Sequence, residues 1–185
     1  MRKSPIGFIG LGDMGGPMVL RLLDAGYELA IYDTRDEAMT RAAEKGAHRA
    51  NDPADVANRC KTVFVSLPTP NAVRDVALGP NGLAEGTAIH NYIDLSTTGA
   101  VMAKLVASGL SKKDIAAIDS PVSGGILGAE TGKLSLMISG PEAVFEAVRP
   151  ILEVIGNNLF YIGAETGLGQ TMKLANNFLS ATNNI

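Results

Sequence analysis

Short apolar segments alternate with amphipathic segments along almost the whole chain. The apolar segments are rich in valine and isoleucine and are bounded by glycine, proline or asparagine, which is typical of buried β-strands. The segments between them repeat their apolar positions at helical spacing. The pattern predicts strands at residues 6–9, 28–32, 62–67, 88–95, 115–118, 134–139 and 159–162. Such alternation is typical of an α/β protein with a mostly parallel sheet and helices on both faces.

Residues that start or stop helices mark the ends of the amphipathic segments. Asp52-Pro53 is a cap followed by proline, and Thr34 with Glu37 has the spacing of a capping box. Gly26 and Gly46 close the first two helices. These signals predict helices at residues 14–24, 34–45 and 71–78, one ending near residue 108, and others beginning at residues 53, 141 and 167.

The first predicted strand ends in a glycine-rich turn, Gly10-Leu11-Gly12-Asp13-Met14-Gly15, and a helix follows. The spacing of its glycines is the dinucleotide-binding fingerprint of Rossmann-type, doubly wound sheets. Gly10 permits the tight turn, Gly12 lets a pyrophosphate approach the backbone, and Gly15 lets the helix lie close to the strand. Asp33 ends the second strand, where an acidic residue binds the adenosine ribose. The alternative is a strand–turn–helix whose glycines serve packing alone.

Composition narrows the classes of function. The 185 residues carry a net charge of −3 and contain no basic run, so we expect no nucleic-acid partner. Cys60 is the single cysteine, which excludes an intramolecular disulfide and fits a reducing compartment. No stretch is long enough to span a bilayer. We therefore expect a cytoplasmic protein with no membrane partner, and we assign no metal site.

Four sequence blocks resemble, in order, the motifs of the 3-hydroxyacid dehydrogenase family. This family includes 3-hydroxyisobutyrate dehydrogenase and tartronate semialdehyde reductase, with 6-phosphogluconate dehydrogenase as a more distant member. The first block is residues 7–18, around the glycine turn. The later blocks are Asp94-Leu95-Ser96-Thr97-Thr98, then Ser120-Pro121-Val122-Ser123-Gly124-Gly125 in a predicted loop, then Gly167-Leu168-Gly169-Gln170 leading to Lys173 and Asn176-Asn177.

The resemblance implies a binding site for NAD, with NADP as the alternative. Gly10 to Gly15 would hold the pyrophosphate. Leu67-Pro68 and Val73 would lie along the adenosine side, and Thr97 would contact the ribose of the nicotinamide half.

Asp33 and Arg35 bear on which dinucleotide is preferred. A carboxylate at Asp33 accepts hydrogen bonds from ribose hydroxyls and repels a 2′-phosphate, which favours NAD. Arg35 would offset that repulsion by pairing with the phosphate, so NADP stays open.

The resemblance also implies a site for a small hydroxy-acid substrate. Ser123, Gly124 and Gly125 would bind its carboxylate, Lys173 would be the catalytic acid or base, and Asn177 would orient its hydroxyl. The chemistry independently suits a lysine, because oxidising an alcohol needs a base for the O–H proton and reduction needs the same group as an acid. Burial and the positive end of a helix dipole would both lower the pKa of that lysine.

Two other functions use the same scaffold. A module that binds a dinucleotide without catalysis has no need of both Lys173 and Asn177, so this pair favours descent from an active enzyme. Imine-type reductases usually lack the lysine, which disfavours that interpretation.

The resemblance predicts that residues 1–165 form a dinucleotide-binding domain and that residues 166–185 begin an interdomain helix. The final helix shows no stop signal before Ile185. Family members continue into an all-helical domain that covers the active site and forms most of a dimer. We therefore expect a homodimer or larger assembly through that domain, and weak or absent turnover by these residues alone.

Overall fold

The computed structural model describes residues 4–183, in which a 3₁₀ turn at Leu83–Glu85 accompanies the helices and strands. Within this range the strands are β1 Ile6–Ile9, β2 Leu29–Tyr32, β3 His48–Arg49, β4 Thr62–Val65, β5 Asn91–Asp94, β6 Ala116–Asp119, β7 Val122–Ser123, β8 Leu134–Ser139 and β9 Gly156–Gly163. The α-helices are α1 Gly15–Asp24, α2 Asp36–Glu44, α3 Pro53–Arg59, α4 Pro70–Leu78, α5 Ala100–Ser111, α6 Gly125–Thr131, α7 Glu142–Ile155 and α8 Leu168–Thr182. No helix between residues 4 and 183 combines the length and the apolar character that crossing a membrane takes.

The strands form one sheet in the order β3-β2-β1-β4-β5-β6-β8-β7, with β9 paired to β8. The pairs from β3 to β6 are parallel, whereas β8 runs antiparallel to β6 and β7. This confirms the predicted Rossmann-type, doubly wound and mostly parallel sheet. The chain order changes direction at β1, and such a switch point opens a crevice at the carboxyl ends of the strands.

The central strands are buried on both faces, because their side chains alternate between two apolar clusters. Phe8 and Phe64 lie in one cluster, where their rings stack with centroids 6.3 Å apart. Ile9 and Val63, the neighbours of those residues in sequence, lie in the other cluster. Helices therefore cover both faces of the sheet, which explains why its strands are continuous apolar segments in the sequence.

The two predicted helix caps have different outcomes. Asp52 caps α3 as predicted, because its side chain accepts a hydrogen bond from a backbone N–H of the first turn. The capping box of Thr34 and Glu37 is wrong, since Arg35 occupies the N-cap position of α2 and no side chain caps that helix. The Asp33 carboxylate instead accepts a hydrogen bond from the N–H of Arg35 at 2.8 Å, which holds this turn outside the helix.

The loop predicted at residues 120–125 contains β7 and leads into α6, a helix that the sequence pattern did not predict. Gly124 has φ +129° and Gly125 has φ +63°, which are conformations that favour glycine. The two glycines that these conformations require make the sequence resemble a turn. Tertiary packing holds the helix against β8, where a Cβ on Gly128 would stand 3.0 Å from a methyl carbon of Leu134.

The predicted final helix is confirmed as α8 within the described residues. Asn184 and Ile185, which the sequence pattern places in the same helix, lie outside the described residues.

Candidate active site

The carboxyl ends of five parallel strands meet at one edge of the sheet. Their last residues are in register from strand to strand: Ile9 with Tyr32 and Val65, Val65 with Asp94, and Asp94 with Asp119. The segments that follow these strands include the glycine turn after β1 and the blocks at residues 94–98 and 120–125, after β5 and β6. The block that begins at Gly167 follows β9, and its backbone N–H groups bond the Asp119 carboxylate at the end of β6. Ligands of open α/β sheets bind at this edge, so the topology brings the predicted site residues together.

A groove of about 460 Å³ lies at this edge between the glycine turn, the end of β2 and the segment after β4. It is lined by most of the residues predicted to bind the cofactor, namely Gly10, Gly12, Asp13, Met14, Gly15, Asp33, Leu67 and Pro68. Val73 is fully buried in the core, and Val76 faces the groove from the same helix. Leu11 is buried too, and its backbone N–H donates to the Asp33 carboxylate at 2.7 Å.

The three glycines of the turn differ in what requires them. A Cβ on Gly10, which has φ +89°, would stand 2.2 Å from the carbonyl oxygen of Ser66. A Cβ on Gly15 would stand 1.8 Å from the carbonyl oxygen of Gly10. Packing within the protein therefore explains these two glycines. A Cβ on Gly12 would meet only the Arg35 guanidinium, at 3.6 Å, so the fold itself does not require glycine there.

Gly12 and the start of α1 together fit a pyrophosphate. Met14 occupies the N-cap position of α1 and its side chain makes no capping hydrogen bond, whereas Asp52 and Thr69 cap α3 and α4. The N–H groups and positive dipole end of α1 therefore face the groove without a side-chain acceptor from the cap. The bare backbone at Gly12 leaves room for an anion to approach them.

Asp33 joins the glycine turn to the start of α2 across the groove. One carboxylate oxygen accepts the N–H of Leu11 at 2.7 Å, and the other accepts the N–H of Arg35 at 2.8 Å and its guanidinium Nε at 3.4 Å. The side chain is 9% exposed. Each carboxylate oxygen retains acceptor capacity, so Asp33 holds the protein and presents its remaining lone pairs to the groove.

Lys173 lies in the second turn of α8 and is 9% exposed, which is unusual for a lysine. Burial lowers the pKa of its ammonium group from the usual value. The helix dipole, which the sequence suggested as a second cause, is opposed by the Asp119 carboxylate. That carboxylate accepts the N–H of Gly167 at 2.7 Å and of Gln170 at 2.9 Å, at the N-terminus of α8.

The predicted carboxylate-binding residues lie against α8. Ser123 is half-buried, and its Oγ accepts a hydrogen bond from the side-chain amide of Asn176 at 3.3 Å. Gly124 and Gly125 follow it, exposed, at the start of α6. Asn177 is exposed, and its predicted role stays a prediction. Asn176, to which the sequence analysis assigned no role within the fourth block, is the residue that contacts Ser123.

Thr97 is exposed in the segment that connects β5 to α5. The buried side chain of Gln170 supports this segment by accepting the backbone N–H groups of Thr98 and Gly99, both at 3.0 Å. The sequence analysis did not identify Gln170 and Asp119 as residues that support this segment. Asp119 had a signal, because it is a carboxylate at the end of an otherwise apolar strand.

Asp94 lies beside Asp119 beneath these segments. Burial raises the pKa of Asp94 to about 7, and the charge of Asp119 contributes in the same direction. Its carboxyl oxygen accepts the N–H of Ser96 at 2.9 Å, which opposes the shift. Protonation of Asp94 near neutral pH therefore limits the repulsion between two neighbouring buried carboxyl groups.

Comparison with known proteins gives one family match and many similar sequences and structures. Residues 5–163 match the model of the NAD-binding domain of 6-phosphogluconate dehydrogenase. The chain is 37% identical to 2-(hydroxymethyl)glutarate dehydrogenase of Eubacterium barkeri, with 99% of this chain and 61% of the relative covered. It is 38% identical to 3-hydroxyisobutyrate dehydrogenase of Pseudomonas aeruginosa, with 95% and 59% covered.

A solved structure agrees with these sequence matches. The structure of 3-hydroxyisobutyrate dehydrogenase of Mycobacterium tuberculosis with L-serine superposes with a TM-score of 0.89 at 31% identity. The match covers 96% of this chain and 60% of that one. The chain thus spans about three fifths of the length of the relatives it matches.

Proposed function

Because the chain belongs to the family of NAD-binding domains of 6-phosphogluconate dehydrogenase, we propose that it is the cofactor-binding part of an NAD(P)-dependent oxidoreductase. Its reaction interconverts a small 3-hydroxy acid and the corresponding semialdehyde or keto form. The observation that carries this proposal is the buried Lys173 on α8. The N-terminus of this helix bonds the Asp119 carboxylate at the end of β6, and its Asn176 contacts Ser123. A lysine exposed on the surface would not have its pKa lowered by burial and would not be enclosed beside a substrate.

The residues of the chain divide the work of this reaction. The turn around Gly12 would hold the pyrophosphate and Asp33 the adenosine ribose, since both line the groove. A nicotinamide cofactor held there would supply the hydride-transfer chemistry. Lys173 takes the proton of the substrate hydroxyl as a neutral amine in oxidation, and returns a proton from its ammonium form in reduction. The Ser123 hydroxyl and the backbone N–H groups of the glycines after it bind the substrate carboxylate.

We further propose that residues 1–165 are the dinucleotide-binding domain and that α8 leads into a second, helical domain. Leu174 is 72% exposed, Phe178 67% and Leu179 60%, so α8 presents apolar side chains that further chain would cover. The proposed dimer forms through that domain.

Oxidation of a hydroxy acid tests the proposed function. We expect NADH to form when NAD is mixed with 3-hydroxyisobutyrate, glycerate or serine and the extended chain, which is these 185 residues followed by the remainder of the Pseudomonas aeruginosa relative. The 185 residues alone should bind NADH and turn over slowly or not at all, because the proposed second domain would complete the substrate pocket. Tight NADH binding without turnover of any hydroxy acid by the extended chain would instead indicate a non-catalytic binding module.

The preference for NAD over NADP should depend on Asp33. Asp33→Asn keeps one oxygen acceptor and removes the charge that repels a 2′-phosphate, so the ratio of NADPH to NADH affinity should rise by about fivefold or more. Calorimetric titrations with both cofactors measure the ratio. Asp36→Asn is the matched control, because Asp36 is an exposed carboxylate on α2 that pairs with Arg49. Equal losses for both cofactors would contradict the assignment.

A further inference from the structure

We propose that Gln170 is a positioning residue that couples the nicotinamide end of the cofactor to the helix carrying Lys173. This inference rests on the proposed function, which assigns the segment after β5 to the nicotinamide half. Gln170 is 2% exposed and stands three residues before Lys173 on α8.

The side-chain amide of Gln170 makes three hydrogen bonds to this segment. Its Oε1 accepts the backbone N–H groups of Thr98 and Gly99, both at 3.0 Å, and its Nε2 donates to the carbonyl oxygen of Ser96 at 2.9 Å. These bonds bracket Thr97 from both sides along the chain. The one side chain therefore fixes the backbone on which the predicted ribose contact stands.

The backbone of Gln170 is held equally firmly. Its N–H donates to the buried Asp119 carboxylate at 2.9 Å, and the same carboxylate accepts the N–H of Gly167 at 2.7 Å and the hydroxyl of Ser139 at 2.6 Å. The Ser139 hydroxyl in turn accepts the N–H of Gly169 at 3.0 Å. The N-terminus of α8 is thus pinned to the ends of β6 and β8.

The network also reaches the nucleotide groove. The Ser96 hydroxyl, which is 4% exposed, accepts the N–H of Leu67 at 2.9 Å, and Leu67 lines the groove. A path of hydrogen bonds therefore runs from the groove through Ser96 and Gln170 to α8; its bond at Leu67 is part-buried and its bonds at Gln170 to Ser96 and Asp119 are buried. Buried bonds of this kind are strong determinants of local geometry, because a broken partner is left unsatisfied away from water.

An amide side chain suits the position. Glutamine both accepts from two N–H groups and donates to a carbonyl, whereas an ionised glutamate only accepts and methionine fills the space without either bond. Because Gln170 bonds the segment that carries Thr97, we expect its replacement to affect binding of the nicotinamide half of the cofactor and not of the adenosine half.

Binding of NADH and ADP separates this role from a general structural one. ADP shares the adenosine and diphosphate of NADH but lacks the nicotinamide riboside. In calorimetric titrations of the 185-residue chain, Gln170→Met should lower NADH affinity by about tenfold and change ADP affinity by less than about twofold. Gln170→Glu, which keeps the acceptor bonds, should lower NADH affinity by a smaller factor and also leave ADP affinity unchanged.

Thr171→Ala is the matched control, since the Thr171 hydroxyl bonds only the carbonyl of Gly167 within α8 among the hydrogen bonds described, and the side chain is exposed. It should leave both affinities unchanged. Equal losses for NADH and ADP in folded Gln170 variants, or no loss for either, would overturn the inference and leave the proposed function standing. Failure of the unchanged chain to bind NADH would overturn the proposed function and this inference together. Should Gln170→Met not fold, as judged by circular dichroism, the Gln170→Glu titrations decide the question.

Discussion

Replacing Lys173 with methionine should slow oxidation of the hydroxy acid by about a hundredfold to ten-thousandfold in the extended chain and leave NADH affinity within about twofold. Methionine is apolar and similar in length, so it fills a buried site without leaving a cavity. It cannot accept the hydroxyl proton. The lysine lies outside the described groove, so cofactor binding should be preserved.

Lys104→Met is the matched control for this variant. Lys104 is an exposed lysine on α5 that pairs with Glu165, and its replacement should change neither the rate nor NADH affinity. A Lys173→Met enzyme that keeps most of its rate would show that another group moves the proton.

The pH dependence of the unchanged enzyme gives a second measurement on Lys173. Oxidation requires the neutral amine, so its rate should rise with pH through the pKa of Lys173 and then level off. Burial lowers that pKa, so the plateau should begin at a lower pH than a solvated lysine would allow. Reduction requires the ammonium form and should fall over the same range. In Lys173→Met both the rise of the oxidation rate with pH and the fall of the reduction rate with pH should disappear.

Gly12→Ala should weaken NADH binding by about tenfold or more and leave the free energy of unfolding nearly unchanged. The backbone of Gly12 lies outside the left-handed region, and a Cβ there would meet only the movable Arg35 guanidinium at 3.6 Å. The added methyl group therefore disturbs no contact of the protein. It fills the space through which a pyrophosphate reaches the backbone N–H groups of the turn. Calorimetric titration and urea unfolding measure the two quantities.

Gly26→Ala is the opposite control at the far end of α1. Gly26 has φ +80° and nothing lies within 4 Å of its Cβ position, so alanine should cost about 1 kcal/mol of stability through backbone strain. Its effect on NADH affinity should be negligible. If Gly12→Ala binds NADH as tightly as the unchanged chain, the pyrophosphate does not lie where we place it.

The sequence pattern was sufficient for the architecture and for the position of the glycine turn within it. Strands buried on both faces leave an unmistakable run of apolar residues, and the glycine turn follows the first of them directly. Parallel strands bring their carboxyl ends to one edge, so residues far apart in the chain, such as Asp33 after β2 and Thr97 after β5, are placed at the same edge by topology alone.

The pattern could not settle questions that depend on contacts between distant elements. Gln170 bonds a segment more than seventy residues earlier in the chain. The spacing of residues near Gln170 in the sequence cannot predict such a bond. Val73 and Val76 are both apolar on one short helix, and only the packing of that helix decides which faces the groove. The capping box at Thr34 failed because α2 begins at Asp36 with Arg35 at its N-cap, after a turn in which the Asp33 carboxylate accepts the N–H of Arg35.

The double attachment of Asp33 has a consequence for engineering this protein toward phosphorylated nucleotides. The carboxylate that we propose discriminates against the extra phosphate also joins the glycine turn to the start of α2. A truncating substitution at this position would release two backbone amides at once, so selectivity and rigidity cannot be altered separately there. A redesign has to supply a neutral acceptor in the same place and recruit positive charge from elsewhere, for which the neighbouring guanidinium of Arg35 is already at hand.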